Sequence, residues 1–227
     1  MPQLLGLWTK IKEPLRQVIA NPLRMIDYIK FILSRKKYFG NQEFYNNKIL
    51  RHSYKDFAQG LPVFFVENIN SKTTAEYLLS FNPKLVFIFG TSLIRTELLS
   101  IRNVIFVNMH WGWSPDYRAE GIVSALALEG PSALGVTVHL ISEIVDGGDI
   151  LYQGRPRVDE TDNFYSVGLK LTVLGIDLFR RVSEDLSAAG SLIGQPQDLS
   201  KGGTFSSRYM RKHPQIYQIA WTRLQNR

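Results

Sequence analysis

The stretch Val104-Ile105-Phe106-Val107-Asn108-Met109-His110 decides the fold class, because it is an apolar run that ends in an amide and an imidazole. A second apolar run, Lys84–Phe89, precedes it, and helical segments are predicted at Ser71–Phe81 and Thr96–Ser100. Short continuous apolar runs are typical of strands buried on both faces of a parallel sheet. Strands that alternate with helices predict right-handed crossover connections. We therefore predict an α/β fold with an open, mostly parallel, Rossmann-like sheet and flanking helices.

The same pattern continues after the first polar cluster. Further elements are predicted as a helix over Gly121–Leu128, strands over Gly135–Ile141 and Ile150–Val158, and helices over Thr161–Leu186 and Gln215–Leu224. Between the two strands, Asp146-Gly147-Gly148-Asp149 is a turn signal. The two strands are thus predicted to form a β-hairpin or to be joined by a tight loop.

The ends of the chain are basic and its middle is acidic. The net charge is +7; residues 1–60 carry eleven lysines and arginines against four acids, and residues 201–227 carry six against none. Leu4–Lys37 has helical periodicity interrupted by Pro14 and Pro22. We interpret it as a surface helical arm, with a membrane-surface helix as the alternative. Because the basic residues lie outside the middle of the chain, nucleic-acid binding is disfavoured.

Composition excludes several classes of site. The chain has no cysteine, which excludes disulfides, thiolate nucleophiles and cysteine-ligated zinc or iron–sulfur clusters. No H-E-x-x-H, P-loop or G-x-S-x-G motif is present, so we predict no metal site and no serine nucleophile. Apolar runs fall short of the roughly 18 to 20 residues that a membrane span needs, and no signal peptide is recognisable, so a cytoplasmic location is predicted.

Three polar residues are candidates for chemistry. Because residues two apart in a strand point to the same side, Asn108 and His110 are predicted to face one crevice at the carboxyl end of their strand. With the carboxylate of Asp146, they can stabilise an oxyanion and move a proton. A strand-terminal asparagine can equally cap a turn, and a histidine there can be a hydrogen-bonded core residue. The spacing alone leaves both interpretations open.

Four segments taken together carry a resemblance to a known family. They are Asn108-x-His110, Trp113-Ser114-Pro115-Asp116-Tyr117-Arg118, Gly135-Val136-Thr137-Val138-His139 and Val145–Leu151. In this order and spacing they resemble the formyltransferases that use 10-formyltetrahydrofolate, and in type they are most similar to the sugar N-formyltransferases. The resemblance spans about residues 61–158.

The resemblance implies a role for each matched residue. Asn108 would donate its amide to the oxyanion, His110 would supply a second donor or shuttle a proton, and Asp146 would hold a water or His110 and accept the proton of the amine. His139 would either line the folate or acceptor side or pack in the core. The residues implied to bind the folate are Gly90, Thr91, Ser92, Leu93, Ile94, Ile141 and Val145. The residues implied to bind the acceptor are Trp113, Tyr117 and Arg118.

Two departures from the family pattern bear on these roles. Ala119 follows Arg118 where most relatives have glycine, so a differently shaped turn is expected there. Relatives open with a strand, a helix and a strand, whereas this chain opens with the helical arm and has no G-x-G-x-x-G. We expect either a natural start upstream or a partner chain that completes the sheet. The predicted parts are a basic helical arm or incomplete N-terminal part over 1–58, a formyltransferase catalytic domain over 59–190 and a basic C-terminal segment with a helix over 191–227.

We predict transfer of a formyl group from 10-formyltetrahydrofolate to the amine of a nucleotide-linked amino sugar. The expected partners are the folate and the amino-sugar nucleotide, with a homodimer as an option. Three alternatives stay open. The first is a methionyl-tRNA formyltransferase-like enzyme, which the basic ends favour and the short C-terminal part disfavours. The second is a formyltetrahydrofolate hydrolase, in which water replaces the amine. The third is a truncated, inactive protein of this fold that acts only by binding.

Overall fold

A computed structural model describes residues 64–213 and 215–226. Its helices are α1 (Lys72–Phe81), α2 (Thr96–Leu99), α3 (Gly121–Leu128), α4 (Phe164–Ala189), α5 (Ser207–Lys212) and α6 (Gln215–Gln225), with a 3-10 turn at Pro131–Ala133. Its strands are β1 (Leu85–Ile88), β2 (Ile105–His110), β3 (Tyr117–Ala119), β4 (Val136–Leu140), β5 (Ile150–Gly154) and β6 (Gly203–Phe205). The predicted helical arm over 1–58 lies outside the described residues.

The main sheet has the strand order β1-β2-β4-β5, which confirms an α/β fold with helices flanking a sheet. Strands β1 and β2 are parallel, and their register places Ile88 opposite Asn108. Strand β4 runs antiparallel to β2, so that His139 lies opposite Asn108 and Thr137 opposite His110. This register brings two motifs far apart in sequence to one end of the sheet.

The second half of the sheet reverses direction. Strands β4 and β5 are antiparallel neighbours, as the predicted hairpin requires, since a short loop can join only antiparallel strands. Among the described residues of this sheet, parallel pairing is therefore confined to β1 and β2. Strand β5 ends before Pro156, earlier than predicted, because proline has no amide hydrogen for the ladder. Residues 64–67, which precede α1, form no strand, and Phe64 packs on Tyr77 of α1.

Helix α4 covers the main sheet. Its start is fixed by Asn163, whose side chain accepts from the backbone of Ser166 while the Ser166 hydroxyl accepts from the backbone of Asn163. The buried face repeats at helical spacing through Val167, Leu171 and Leu178. The helix predicted over Thr161–Leu186 is thus confirmed as a core element.

A small second sheet and helix α6 complete the described core. Strand β3 pairs in parallel with β6, with Ala119 opposite Phe205. Helix α6 buries Ile216, Ala220 and Leu224, which recur every four residues, and the Arg223 guanidinium donates to the carbonyl of Leu128 in α3. The helix predicted near Gln215–Leu224 is confirmed. The domain boundaries stay predictions. In the part of the chain that the structure describes, no helix has the length and apolarity to cross a membrane.

Candidate active site

Asn108 and His110 lie at the end of β2, and their side chains face the turn that carries Asp146. The Asn108 Nδ2 lies 3.2 Å from Asp146 Oδ1, and the His110 Nδ1 lies 3.3 Å from Asp146 Oδ2. His110 is only 6 % exposed and the Asp146 side chain 13 % exposed. The three residues that the sequence singled out are therefore brought together in a nearly closed site.

The Asp146 carboxylate is held from two further directions. The backbone N–H of Ala119 donates to its Oδ2 at 2.9 Å, and the His139 Nε2 lies 3.5 Å from its Oδ1. Burial alone raises the pKa of the Asp146 carboxyl, but the contacts with His139, His110 and Ala119 together outweigh burial and hold this pKa below its usual range. Asp146 is accordingly ionised at neutral pH.

The two imidazoles have opposite orientations toward the carboxylate. The His110 Nε2 lies 2.7 Å from the Tyr117 carbonyl, and the His139 Nδ1 lies 2.8 Å from the Leu140 carbonyl. Carbonyl oxygens only accept, so each of these two nitrogens carries a proton. The His139 Nε2 lies 3.2 Å from the Asn108 Nδ2 as well as 3.5 Å from Asp146 Oδ1.

His110 is a neutral imidazole at neutral pH. Burial lowers the pKa of His110, although the neighbouring Asp146 carboxylate opposes this shift. Because Nε2 carries the ring proton, Nδ1 presents a lone pair to Asp146 Oδ2. Two acceptors thus face each other across 3.3 Å. An added proton between them would be attracted to both.

Ala119 has a backbone conformation that favours glycine, the residue that the family pattern predicts at this position. Its φ is +67°, and that of Asp146 is +51°. Both lie in the left-handed region, which costs a residue with a side chain roughly 1 to 2 kcal/mol. In this conformation the N–H of Ala119 reaches the Asp146 carboxylate. Alanine in place of glycine therefore does not prevent this contact.

Thr137 anchors the loop between β2 and β3. Its buried hydroxyl accepts from the backbone N–H of Ser114 at 3.0 Å and from the Gln153 Nε2 at 2.9 Å, and it donates to the Gly112 carbonyl at 2.7 Å. This loop leads to Tyr117 and Ala119, the two backbone contacts of the site. Sequence reasoning assigned no role to Thr137, although the antiparallel register opposite His110 places it here.

Of the predicted acceptor residues, Tyr117 and Arg118 are buried and Trp113 is half-buried. Trp113 packs beneath the Arg155 guanidinium, which lies 4.0 Å from the ring centroid. Tyr117 is buried against Phe205. Arg118 is 7 % exposed, and among the described residues no group accepts from its Nε or Nη1. The buried Arg118 guanidinium therefore has two nitrogens, Nε and Nη1, that could still donate hydrogen bonds.

The predicted folate residues fall into two groups. A cavity of about 440 Å³ is lined by Leu140, Ile141, Ser142, Glu143, Ile144, Gly147, Gly148 and Asp149. Ile141 lines this cavity, while Val145 is absent from its lining. The other group, Gly90, Thr91, Ser92, Leu93 and Ile94, forms the loop after β1, which is exposed except for the half-buried Ile94. In the described part of the chain, no cluster of three or more histidine or acidic side chains could hold a metal.

Comparisons with known proteins agree on one family. The family model described as formyl transferase matches residues 27–182, more than half of the chain. The match begins inside the segment predicted as a helical arm. Methionyl-tRNA formyltransferase from Staphylococcus aureus strain Newman is 28% identical over 158 residues, which are 69% of this chain and 50% of that protein. The chain spans half or less of the length of the first curated relatives that it matches.

Solved structures share the fold. A sugar N-formyltransferase from Shewanella sp. FDAARGOS_354 aligns with a TM-score of 0.56 at 21% identity, covering 78% of this chain and 72% of that one. The formyltransferase PseJ from Anoxybacillus kamchatkensis, in complex with UDP-4,6-dideoxy-4-formamido-L-AltNAc and tetrahydrofolate, aligns with a TM-score of 0.52 at 19% identity, covering 70% and 97%. On the strength of the family match and this shared fold, the chain belongs to the formyl transferase family.

Proposed function

We propose that this protein transfers a formyl group from 10-formyltetrahydrofolate to the amine of a nucleotide-linked amino sugar. The observation that carries the proposal is the convergence of Asn108, His110, His139 and Ala119 on the Asp146 carboxylate. An amine that attacks a formyl carbon must lose a proton, and the carbonyl oxygen becomes negative as it does so. The site offers a group for each of these events.

The proton of the amine goes to the pair formed by Asp146 and His110. The depressed pKa of Asp146 keeps the carboxylate ionised, and the depressed pKa of His110 keeps its Nδ1 unprotonated. Because Oδ2 and Nδ1 lie 3.3 Å apart, one proton placed between them is shared by both. The pair can therefore hold the proton of the amine between two acceptors in its buried setting.

Asn108 can donate a hydrogen bond first to the Asp146 carboxylate and then to the oxyanion that forms during the reaction. In the free site its Nδ2 donates to Asp146 Oδ1 and lies 3.2 Å from the His139 Nε2. Protonation of Asp146 weakens Oδ1 as an acceptor, so one N–H of Asn108 becomes available to the developing oxyanion. The oxyanion and the carboxylate thus compete for the same N–H of Asn108. Protonation of Asp146 shifts this hydrogen bond from the carboxylate to the oxyanion.

The cavity beside Asp146 is the proposed site of the pterin ring of the folate. Its walls combine the apolar side chains of Ile141 and Ile144 with the backbone of the loop that leads to Gly147 and Gly148. A flat ring with polar edges needs apolar faces and backbone donors and acceptors, and this lining has both. A bound 10-formyltetrahydrofolate would supply the formyl group; the bond between its formyl carbon and N10 would break, and the proton held between Asp146 and His110 would pass to N10 as tetrahydrofolate leaves. The loop over 90–94 and Val145 remain proposed contacts of the same donor.

Arg118 supports a nucleotide-linked acceptor. A buried guanidinium without an acceptor is costly, and an anion beside it would offset that cost. The phosphates of a sugar nucleotide are anions of the kind that arginine binds in a bidentate manner. The half-buried Trp113, whose ring packs against the Arg155 guanidinium, and the buried Tyr117 would then shape the pocket wall around Arg118 rather than stack on a sugar.

A tRNA acceptor is the second candidate, since a methionyl-tRNA formyltransferase is 28% identical. It is less favoured because residues 61–200 carry ten basic against sixteen acidic residues, whereas a tRNA surface calls for a basic face. The cytoplasmic location and the homodimer stay predictions.

The test incubates the purified full chain with 10-formyltetrahydrofolate and a panel of UDP- and dTDP-linked amino sugars, initiator methionyl-tRNA, or no acceptor. Mass spectrometry should show a formylated sugar nucleotide. Formylated tRNA alone would favour the second candidate, and rapid formate release without an acceptor would favour a hydrolase. If the protein binds a folate analogue but forms none of these products, it acts only by binding.

A further inference from the structure

Residues 194–205 follow α4 and run alongside the turn that carries Asp146. The backbone of Gln195 makes two hydrogen bonds of 2.8 Å with Ile150, the first residue of β5. This isolated antiparallel bridge places the segment at the edge of the sheet, directly after the turn. We call residues 194–205 the C-terminal brace.

Gln197 connects the brace to the turn through one amide group. Its Nε2 donates to the Asp146 carbonyl at 3.0 Å and to the Gly148 carbonyl at 2.5 Å. Its Oε1 is buried and has no partner among the described residues. The two bonds to backbone carbonyls are therefore what orients this side chain, and they tie together both sides of Gly147.

The brace and the turn fit closely. A Cβ atom on Gly194 would lie 2.6 Å from the Cβ of Asp149, and a Cβ on Gly147 would lie 3.3 Å from a methyl carbon of Leu199. Contacts this short leave no room for a water layer between the two segments. The turn is thus packed as well as hydrogen-bonded.

The brace also reaches Asp146 from its carboxylate side. Its last residues form β6, which pairs with β3, and the Gly203 N–H donates to the Asp116 carbonyl at 3.0 Å. Strand β3 in turn presents the N–H of Ala119 to Asp146 Oδ2. One segment therefore supports the backbone of Asp146 through Gln197 and its carboxylate through β3.

We propose that Gln197 is a positioning residue that holds Asp146 for proton transfer. The proposal rests on the proposed function of Asp146. Asp146 adopts a left-handed conformation with φ +51°, which its surroundings must stabilise because it is intrinsically unfavourable. Gln197 satisfies the carbonyl of Asp146 in that conformation, and without it the turn would sample others.

The test uses Gln197→Met, which keeps the size of the side chain and removes both donors. Gln195→Met is the matched control, because Gln195 belongs to the same segment and uses only its backbone. Hydrogen exchange is followed in a peptide covering residues 141–150, which contains the N–H of Gly147 that donates to the Ile144 carbonyl at 3.0 Å. Formylation kinetics give kcat and the KM for the acceptor.

Gln197→Met should speed exchange in this peptide about 10- to 30-fold, as expected for the loss of two hydrogen bonds. It should lower kcat about tenfold or more, with little change in KM, because misplacement of a base slows chemistry more than binding. Gln195→Met should match the wild type in both. Unchanged exchange, or faster exchange with unchanged kcat in an active enzyme, would overturn the proposal.

Gln197→Glu provides a second variant should Gln197→Met fold poorly. An ionised glutamate has no donor for the two carbonyls, whereas a protonated one donates to one of them. After correction for intrinsic exchange, protection of the turn should return partly as the pH is lowered; no return would contradict the role of the donor. If the wild type formylates no acceptor, the proposed function fails, while the exchange results still decide whether Gln197 holds the turn.

Discussion

Replacement of Thr137 by valine tests how firmly the site is attached to the sheet. Valine matches threonine in shape, so Thr137→Val leaves no cavity, but it removes three hydrogen bonds at a fully buried position. The N–H of Ser114 and the carbonyl of Gly112 lose their bonds to the hydroxyl, at roughly 1 to 3 kcal/mol for each buried group left unpaired. Gln153 keeps its bond to the Ser114 carbonyl at 2.8 Å and loses less. The expected loss in the free energy of unfolding is about 3 kcal/mol.

Urea denaturation and thermal melting of Thr137→Val and of the wild type measure this loss. For a chain of this size, about 3 kcal/mol corresponds to a fall in the melting temperature of roughly 6 to 12 °C. The matched control is Thr172→Val in α4, whose hydroxyl makes a single bond to the Gly168 carbonyl and whose loss should cost under about 1 kcal/mol. If Thr137→Val loses no more than this control, the loop between β2 and β3 is not held through this hydroxyl.

Two further predictions concern pH and the turn. Because burial lowers the pKa of His110, the unfolded chain binds more protons than the folded one below about pH 6.5, so the free energy of unfolding should fall as the pH drops below that value. Denaturation across this range should give a shallower fall for His110→Gln; an equally steep fall would assign the pH dependence to other groups. Gly148→Ala would place a Cβ 1.8 Å from the Leu140 carbonyl oxygen, so it should lower the melting temperature and the formylation rate well below those of Gly190→Ala, which meets no atom within 4 Å and carries only the roughly 1 to 2 kcal/mol cost of a left-handed backbone with φ +73°. Similar values for the two variants would contradict the close approach at Gly148.

The parts of the fold that follow from local pattern were predictable. The apolar run into Asn108 and His110, the periodicity of α4 and the turn signal at Asp146 are local features, and the structure places each where the sequence did. The meeting of Asn108, His110 and Asp146 was also predictable, because strand ends that share one edge bring their side chains together.

The parts that depend on contacts distant in sequence were not predictable. Strands β3 and β6 have three residues each and pair across more than eighty positions, so neither carries a period of its own. Gln197 lies in a segment without a motif, and only the folded chain shows its amide on the turn. The resemblance implied that Trp113 and Tyr117 bind the acceptor, and their burial could not be predicted from it. Thr137 holds their loop against β4, where Tyr117 is buried and Trp113 is half-buried.

Asp146 can be separated from the rest of the site by a conservative change. Asp146→Asn keeps the shape of the side chain and removes its capacity to take up the proton of the amine. Because Asn108 and the cavity-lining residues are unchanged, binding of a folate analogue should stay close to that of the wild type.

The measurement that tests the central claim most directly is the single-turnover rate of formyl transfer from 10-formyltetrahydrofolate to an amino-sugar nucleotide, in the wild type and in Asp146→Asn. The wild type should yield the formylated sugar nucleotide, and Asp146→Asn should be slower by about 10² to 10⁴ with folate-analogue binding retained. Equal rates in the two proteins would contradict the assignment of Asp146 as the group that receives the proton of the amine.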